Sequence, residues 1–126
     1  MMKLEILPRP MTVCKLLRVE DFDMLGLYFI GNTGAELSLV CETERTPART
    51  LAREDGWRAL RIAGTLDFSL TGILSGIASI LAEEKIGIFA VSTYDTDYIL
   101  VKRENLDRAV EALRREGYEL SLTRKA

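Results

Sequence analysis

The order in which the hydrophobic period changes after Trp57 constrains this chain most. Residues 57–63 alternate, with Trp57, Ala59, Arg61 and Ala63 against Arg58, Leu60 and Ile62, and Gly64 ends the run. That pattern predicts a strand. From Leu70 the apolar residues recur at spacings of three and four (Leu70, Ile73, Leu74, Ile77, Leu81), which predicts an amphipathic helix. Ser69 or Thr71 can cap its start, and Gly87 can close it in the left-handed conformation. Residues 88–93 and 98–101 are β-rich and joined by Tyr94-Asp95-Thr96-Asp97, a hairpin. Leu106, Ala109, Val110 and Leu113 form a second helical stripe. Glu104 with Arg108 and Glu111 with Arg115 are i,i+4 pairs in the favourable order. Gly117 ends that helix, and residues 118–122 read as a last strand.

The resulting order, β-α-β-β-α-β, is the split βαβ unit of ferredoxin-like folds. The expected class is α+β, with two helices on one face of a four-stranded antiparallel sheet. Ahead of it the chain reads as mainly β. Residues 4–7 and 11–17 are strand-like, separated by Pro8-Arg9-Pro10. Residues 27–30 and 37–41 resemble a hairpin around Gly31-Asn32-Thr33-Gly34. The polar segment 43–56 is expected to be a linker, with a helical turn at 48–53. The division expected is therefore 1–56 and 57–126.

Composition narrows the function. The 126 residues carry 17 basic and 19 acidic side chains, a net charge of −2, and neither half forms a basic footprint. Nucleic acid is not an expected partner. The central strand that would carry aromatic RNA contacts reads Asp97-Tyr98-Ile99-Leu100-Val101 instead. With no histidine in the chain, Ser-His-Asp and Cys-His catalysis and histidine zinc sites are excluded within one chain. Cys14 and Cys41 lie far apart in apolar runs and read as small buried hydrophobes. The longest uncharged stretch, residues 68–82, is too short and polar to span a bilayer, and the N-terminus has no apolar signal core. No membrane association is expected, and the expected location is cytoplasmic.

Two stretches carry a more specific resemblance. Gly64-Thr65-Leu66-Asp67-Phe68-Ser69-Leu70-Thr71-Gly72-Ile73-Leu74 and Ile88-Phe89-Ala90-Val91-Ser92-Thr93-Tyr94-Asp95-Thr96-Asp97-Tyr98-Ile99-Leu100-Val101 resemble the ACT domain family. More closely they resemble its small stand-alone proteins of tandem ACT-like units, and they are similar to the ACT repeats of eukaryotic cytosolic arginine sensors. The family usually has Pro before the glycine at the first helix start. Thr71 stands there here, as it does in the subfamily. Residues 1–42 resemble a degenerate first unit. The resemblance implies a regulatory, non-catalytic protein that binds a small effector, an amino acid, at an interface between two ACT units. It places the contacts on Asp67, Phe68, Leu70, Thr71 and Gly72 of the loop, on Ile88 and Phe89 of the second strand, and on Thr93 and Asp97.

The residue chemistry agrees with such a ligand. A free amino acid needs an anion site and a cation site. Gly72 at a helix start offers backbone N–H groups and a close approach for a carboxylate. Asp67, Asp95 and Asp97 can receive an ammonium or guanidinium, although Asp95 also reads as a plain turn residue. Aspartate is locally disfavoured in a strand, which singles out Asp97. Gly72 and Gly76 can alternatively serve tight helix packing. No cofactor and no metal are expected, and a homodimer is expected because an open sheet leaves an edge and a face to cover. The alternative function is a dimerising protein-interaction module without a small-molecule ligand.

Overall fold

The computed structural model describes residues 2–64 and 72–123. Its strands are β1 (Lys3–Ile6), β2 (Met11–Leu16), β3 (Tyr28–Asn32), β4 (Leu37–Glu42), β5 (Ala52–Ile62), β6 (Ile88–Ser92), β7 (Asp97–Lys102) and β8 (Glu119–Leu122). Its helices are α1 (Ile73–Glu83) and α2 (Leu106–Arg115). The chain divides into two compact units, one of Met1–Pro8 with Arg58–Lys125 and one of Arg9–Trp57. The long strand β5 contributes its last part to the former and its first part to the latter.

The unit holding both helices has the strand order β6-β7-β5-β1-β8. This is the expected α+β, ferredoxin-like arrangement with one addition. β1 lies between β5 and β8, antiparallel to β5 (Leu4 opposite Ile62) and parallel to β8 (Leu4 opposite Leu120). Residues 3–6 thus complete this unit, which departs from a division at Trp57. Strand alternation sends Leu60 and Ile62, Ile99 and Val101, Leu4 and Leu120 to one face. There they pack with Ile77 and Leu81 of α1 and Ala109, Val110 and Leu113 of α2. Each fully buried Leu or Ile contributes about 1.5–3 kcal/mol of transfer free energy, so this cluster is the main stabiliser of the unit.

Both helix ends differ in detail from the expectation. α1 starts at Gly72, which caps it without any side-chain hydrogen bond. Ser69 and Thr71, the expected caps, lie outside the described residues. At the far end Lys85, at φ +59, takes the left-handed position expected of Gly87. The Lys85 and Ile86 N–H groups donate to Ala82 O and Leu81 O, closing the helix before Gly87 is reached. In α2, Arg108 and Arg115 do not serve the expected i,i+4 pairs. Arg108 donates to Glu84 O and Arg115 pairs with the Glu84 carboxylate, tying α2 to the end of α1.

The unit of Arg9–Trp57 has the order β3-β4-β2-β5 and no α-helix. Single 3-10 turns at Val19–Asp21 and Thr43–Arg45 stand where helices would be. The expected turn at 48–53 does not form, and most of the expected linker is strand. β5 begins at Ala52, pairing with Lys15 of β2. Its core is Cys14, Leu16, Phe22, Leu39 and Cys41, with Tyr28 packed edge-to-face on Phe22 at 5.1 Å. Burial first, and the neighbouring Cys41 second, push the Cys14 thiol up to about 11. Cys14 is therefore expected to react with a thiol reagent at pH 8 about a hundredfold more slowly than an ordinary cysteine. Labelling with and without denaturant checks this, and fast labelling of the folded protein contradicts it.

Candidate functional site

α1 begins on Gly72 at φ +80 and ψ −4. This left-handed geometry favours glycine, and the N-cap residue itself offers no side chain to the first N–H groups. Gly72 O accepts from the Gly76 N–H at 2.8 Å. A cavity of about 280 Å³ adjoins this helix start, lined by Met2, Ile73, Glu116, Gly117 and Tyr118. A Cβ on Gly76 would come within 3.3 Å of Tyr118 Oη. Gly76 therefore has a packing role, whereas no described atom lies within 4 Å of a Cβ placed on Gly72.

The hairpin turn after β6 lies at the same end of the sheet. Thr93 donates through both N–H and hydroxyl to Thr96 O, at 2.8 and 2.9 Å. Buried Thr96 donates its hydroxyl to Ile62 O at 2.8 Å, which fixes the turn to the end of β5. The Ala63 N–H donates to Lys3 O, next to Met2 of the cavity. The chain leaves this end through Gly64 toward the α1 start. Asp97 is the first residue of β7, half-buried and opposite Ser92. The sequence left open whether the two loops share a sheet end; the hydrogen bonds fix the hairpin turn to the end of β5, while residues 65–71 lie outside the described residues.

Two expected contacts are not brought to that end. Ile88 and Phe89 pair with Val101 and Leu100 at the start of β6. Ser92 is four residues on from Ile88 along the strand, roughly 13 Å. Both are half-buried, and Ile88 packs against the helical core. Asp67, Phe68, Leu70 and Thr71 lie outside the described residues. Met2, Glu116 and Tyr118 were missed by sequence reasoning. The only signal was Gly117-Tyr118 at the end of a predicted helix, because Met2 arrives through the parallel pairing of β1 with β8. Among the described residues, no group of three or more His, Cys, Asp or Glu is placed to hold a metal. No described helix is long and apolar enough to cross a membrane.

The unit without helices repeats this local design. Residues β3, β4 and the 3-10 turn at Thr43–Arg45 correspond, 60 positions on, to β6, β7 and the 3-10 turn at Arg103–Asn105. In the matching hairpin, Thr33 donates through N–H and hydroxyl to Glu36 O, as Thr93 does to Thr96 O. Before the hairpins the match runs at an offset of 46. Asp21-Phe22 and Gly26-Leu27 correspond in sequence to Asp67-Phe68 and Gly72-Ile73. Gly26 has φ +77, close to that of Gly72.

The ACT domain signature matches residues 52–115, just over half of the 126 residues. No curated protein matches the sequence. A crystal structure of an Agrobacterium tumefaciens protein, Atu0741, is 32% identical with a TM-score of 0.86, covering 97% of this chain and 93% of that one. A Vibrio cholerae protein of unknown function, VC0802, is 22% identical with a TM-score of 0.70, covering 90% and 88%. The regulatory subunit of aspartate kinase from Thermus thermophilus, in its ligand-free form, is 8% identical with a TM-score of 0.61, covering 89% and 95%. The last two likenesses are of fold alone. With its signature running from β5 through α2 and the ferredoxin-like sheet and helices in place, the chain belongs to the ACT domain family of regulatory, ligand-binding modules.

Proposed function

We propose that this chain is a sensor built of two ACT-like repeats, the first degenerate, which binds a free amino acid at the start of α1. The observation that carries the reading is the α1 start itself: a left-handed glycine cap and a cavity of about 280 Å³ beside it. The effector carboxylate sits on the first-turn N–H groups, favoured by the helix dipole. Glu116 in the cavity wall receives the α-ammonium. The resemblance adds Asp67, Phe68, Leu70 and Thr71, outside the described residues, as further contacts, and a second ACT unit completes the site. The reading includes no catalytic step; the chain has no histidine to serve as a general base near neutral pH.

Asp97 adds a preference. In the strand order, β7 is two strands from β1, roughly 10 Å at the usual spacing. An effector that holds both the α1 start and Asp97 needs a long side chain ending in a cation. A thermal-shift screen of the common amino acids tests this. Lysine or arginine is expected to raise the midpoint most, and saturation at 100 times Kd adds about 2.7 kcal/mol. If no amino acid shifts the midpoint, the effector reading fails and the dimerising module remains.

The proposed assembly is a homodimer. Among the described residues of their unit β6 pairs only with β7 and β8 only with β1, so each leaves an edge that a second copy can cover. Light scattering at micromolar concentration is expected to give twice the 14.2 kDa chain mass. A monomer at every concentration contradicts it.

A further inference from the structure

The first unit holds its own version of the glycine turn, and there the space is filled. A Cβ on Gly26 would lie 3.0 Å from Glu42 Cδ and 3.0 Å from Cδ and Nε of Arg45, whereas Gly72 has no described atom within 4 Å. The Leu27 N–H, which matches that of Ile73, donates to Glu42 Oε2 at 3.1 Å. Around the other oxygen stand Arg45 Nε at 3.5 Å and Arg9 Nε at 3.9 Å. The Glu42 side chain is only 6% exposed.

A carboxylate this deep is tolerable only with partners, and a backbone N–H plus two guanidinium groups supply them. The same donor set suits the carboxylate of a free ligand. Arg9 and Arg45 are also held from outside, Arg9 by Glu44 at 3.0 Å and Arg45 by Asp23 at 4.0 Å. The donors therefore stay in place if Glu42 is shortened. Arg45 Nε is buried without a hydrogen-bond acceptor, a donor that the tethered Glu42 carboxylate does not satisfy. A cavity of about 260 Å³ adjoins the group, lined by Arg9, Pro10, Glu42, Thr43 and Glu44. At the matching positions of the second unit stand Lys102 and Asn105, neither of which carries a carboxylate.

We infer that Glu42 is a built-in occupant of the first unit's glycine turn: its carboxylate takes the place of a free carboxylate ligand and closes that unit to effectors. Once Glu42 is cut back, Leu27 N–H, Arg9 and Arg45 form a binding site for a short free carboxylate. The inference stands on the geometry of the first unit alone. Only its corollary, one effector per chain, rests on the proposed effector site.

The test is chemical rescue of Glu42→Ala with sodium propionate, against sodium chloride at equal ionic strength. Glu42→Ala is expected to melt below the wild type. About 100 mM propionate is expected to return roughly 5 °C of the midpoint, while the wild type, Glu42→Gln and Glu44→Ala gain no more from propionate than from chloride. The Leu27 amide resonance should shift with propionate only in Glu42→Ala. If Glu42→Ala does not fold alone, folding on addition of propionate is the same result. Equal responses to propionate and chloride overturn the inference, as does failure to fold at any propionate concentration while Glu42→Gln folds. Loss of effector binding at α1 in the wild type bears only on the proposed function and leaves the rescue result standing.

Discussion

Replacing Gly26 with alanine is expected to cost about 3–5 kcal/mol of folding stability, against about 1–2 kcal/mol for the same change at Gly72. Both glycines have positive φ, at +77 and +80, so both substitutions force a Cβ into the left-handed region at about 1–2 kcal/mol. There the similarity ends. At Gly26 the new methyl meets the Glu42 carboxyl carbon and the Arg45 side chain at 3.0 Å. Glu42 is nearly enclosed and cannot give way without surrendering the Leu27 N–H and its ion pairs. Disturbing a buried, partnered charge is among the costly events a single substitution can cause. At Gly72 no described atom obstructs the methyl, so the strain stands alone. Urea or thermal unfolding of the two variants measures the difference. In a Glu42→Ala background the excess cost of Gly26→Ala should largely vanish, the signature of coupled neighbours. Equal losses at the two glycines, or an unchanged excess in that background, contradict the account of Gly26.

The same pair of glycines shows what the sequence could and could not convey. The order of elements after Trp57 was legible because each carries a strong period: Leu60 and Ile62 alternate into the core, and Ile77 and Leu81 form a helical stripe. The start of β5 was not legible. Residues 52–55 are exposed, so no apolar alternation marks them, and their pairing with β2 is irregular between Met11 and Val13. The pairing of β1 with β8 joins residues more than a hundred positions apart, which no local pattern records. Lys85 took the place of Gly87 because the helix ends where its last carbonyls find donors, and a hydrogen-bonded turn outweighs the modest cost of a left-handed lysine. At the candidate site, Thr93 and Asp97 were singled out by the family resemblance, Asp97 also by its poor fit to a strand, and the structure places both at the hairpin end of β6 and β7. Ile88 and Phe89, grouped with them by the resemblance, lie at the other end of β6, a separation that no local pattern in the sequence records. The internal repeat was hidden because its two parts match at offsets of 46 and 60, the difference absorbed by the helix that the first unit lacks.

Replacing Asp97 with asparagine is expected to weaken effector binding by roughly ten- to a hundred-fold while moving folding stability by no more than about 0.5 kcal/mol. The carboxylate opens β7, a position where aspartate contributes little to strand formation. The turn before it is fixed without its help. Thr93 and Thr96 bond each other, and the Thr96 hydroxyl holds Ile62 O. Removing one charge should therefore leave the hairpin intact. If the carboxylate receives the distal cation of the effector, its loss removes a charge-assisted hydrogen bond of about 1.5–3 kcal/mol, which sets the expected fold-change. Asp95→Asn, in the exposed turn two residues earlier, is the control for the general field of the loop. Titration of the effector from the screen into the wild type and both variants, with unfolding measured on the same samples, separates the cases. Unchanged affinity in Asp97→Asn removes the residue from the site. Equal losses in both variants reduce its part to loop electrostatics. A large loss of stability without effector makes it a structural residue instead. Lysine or arginine losing more affinity than an apolar amino acid identifies the distal cation as the group that Asp97 receives.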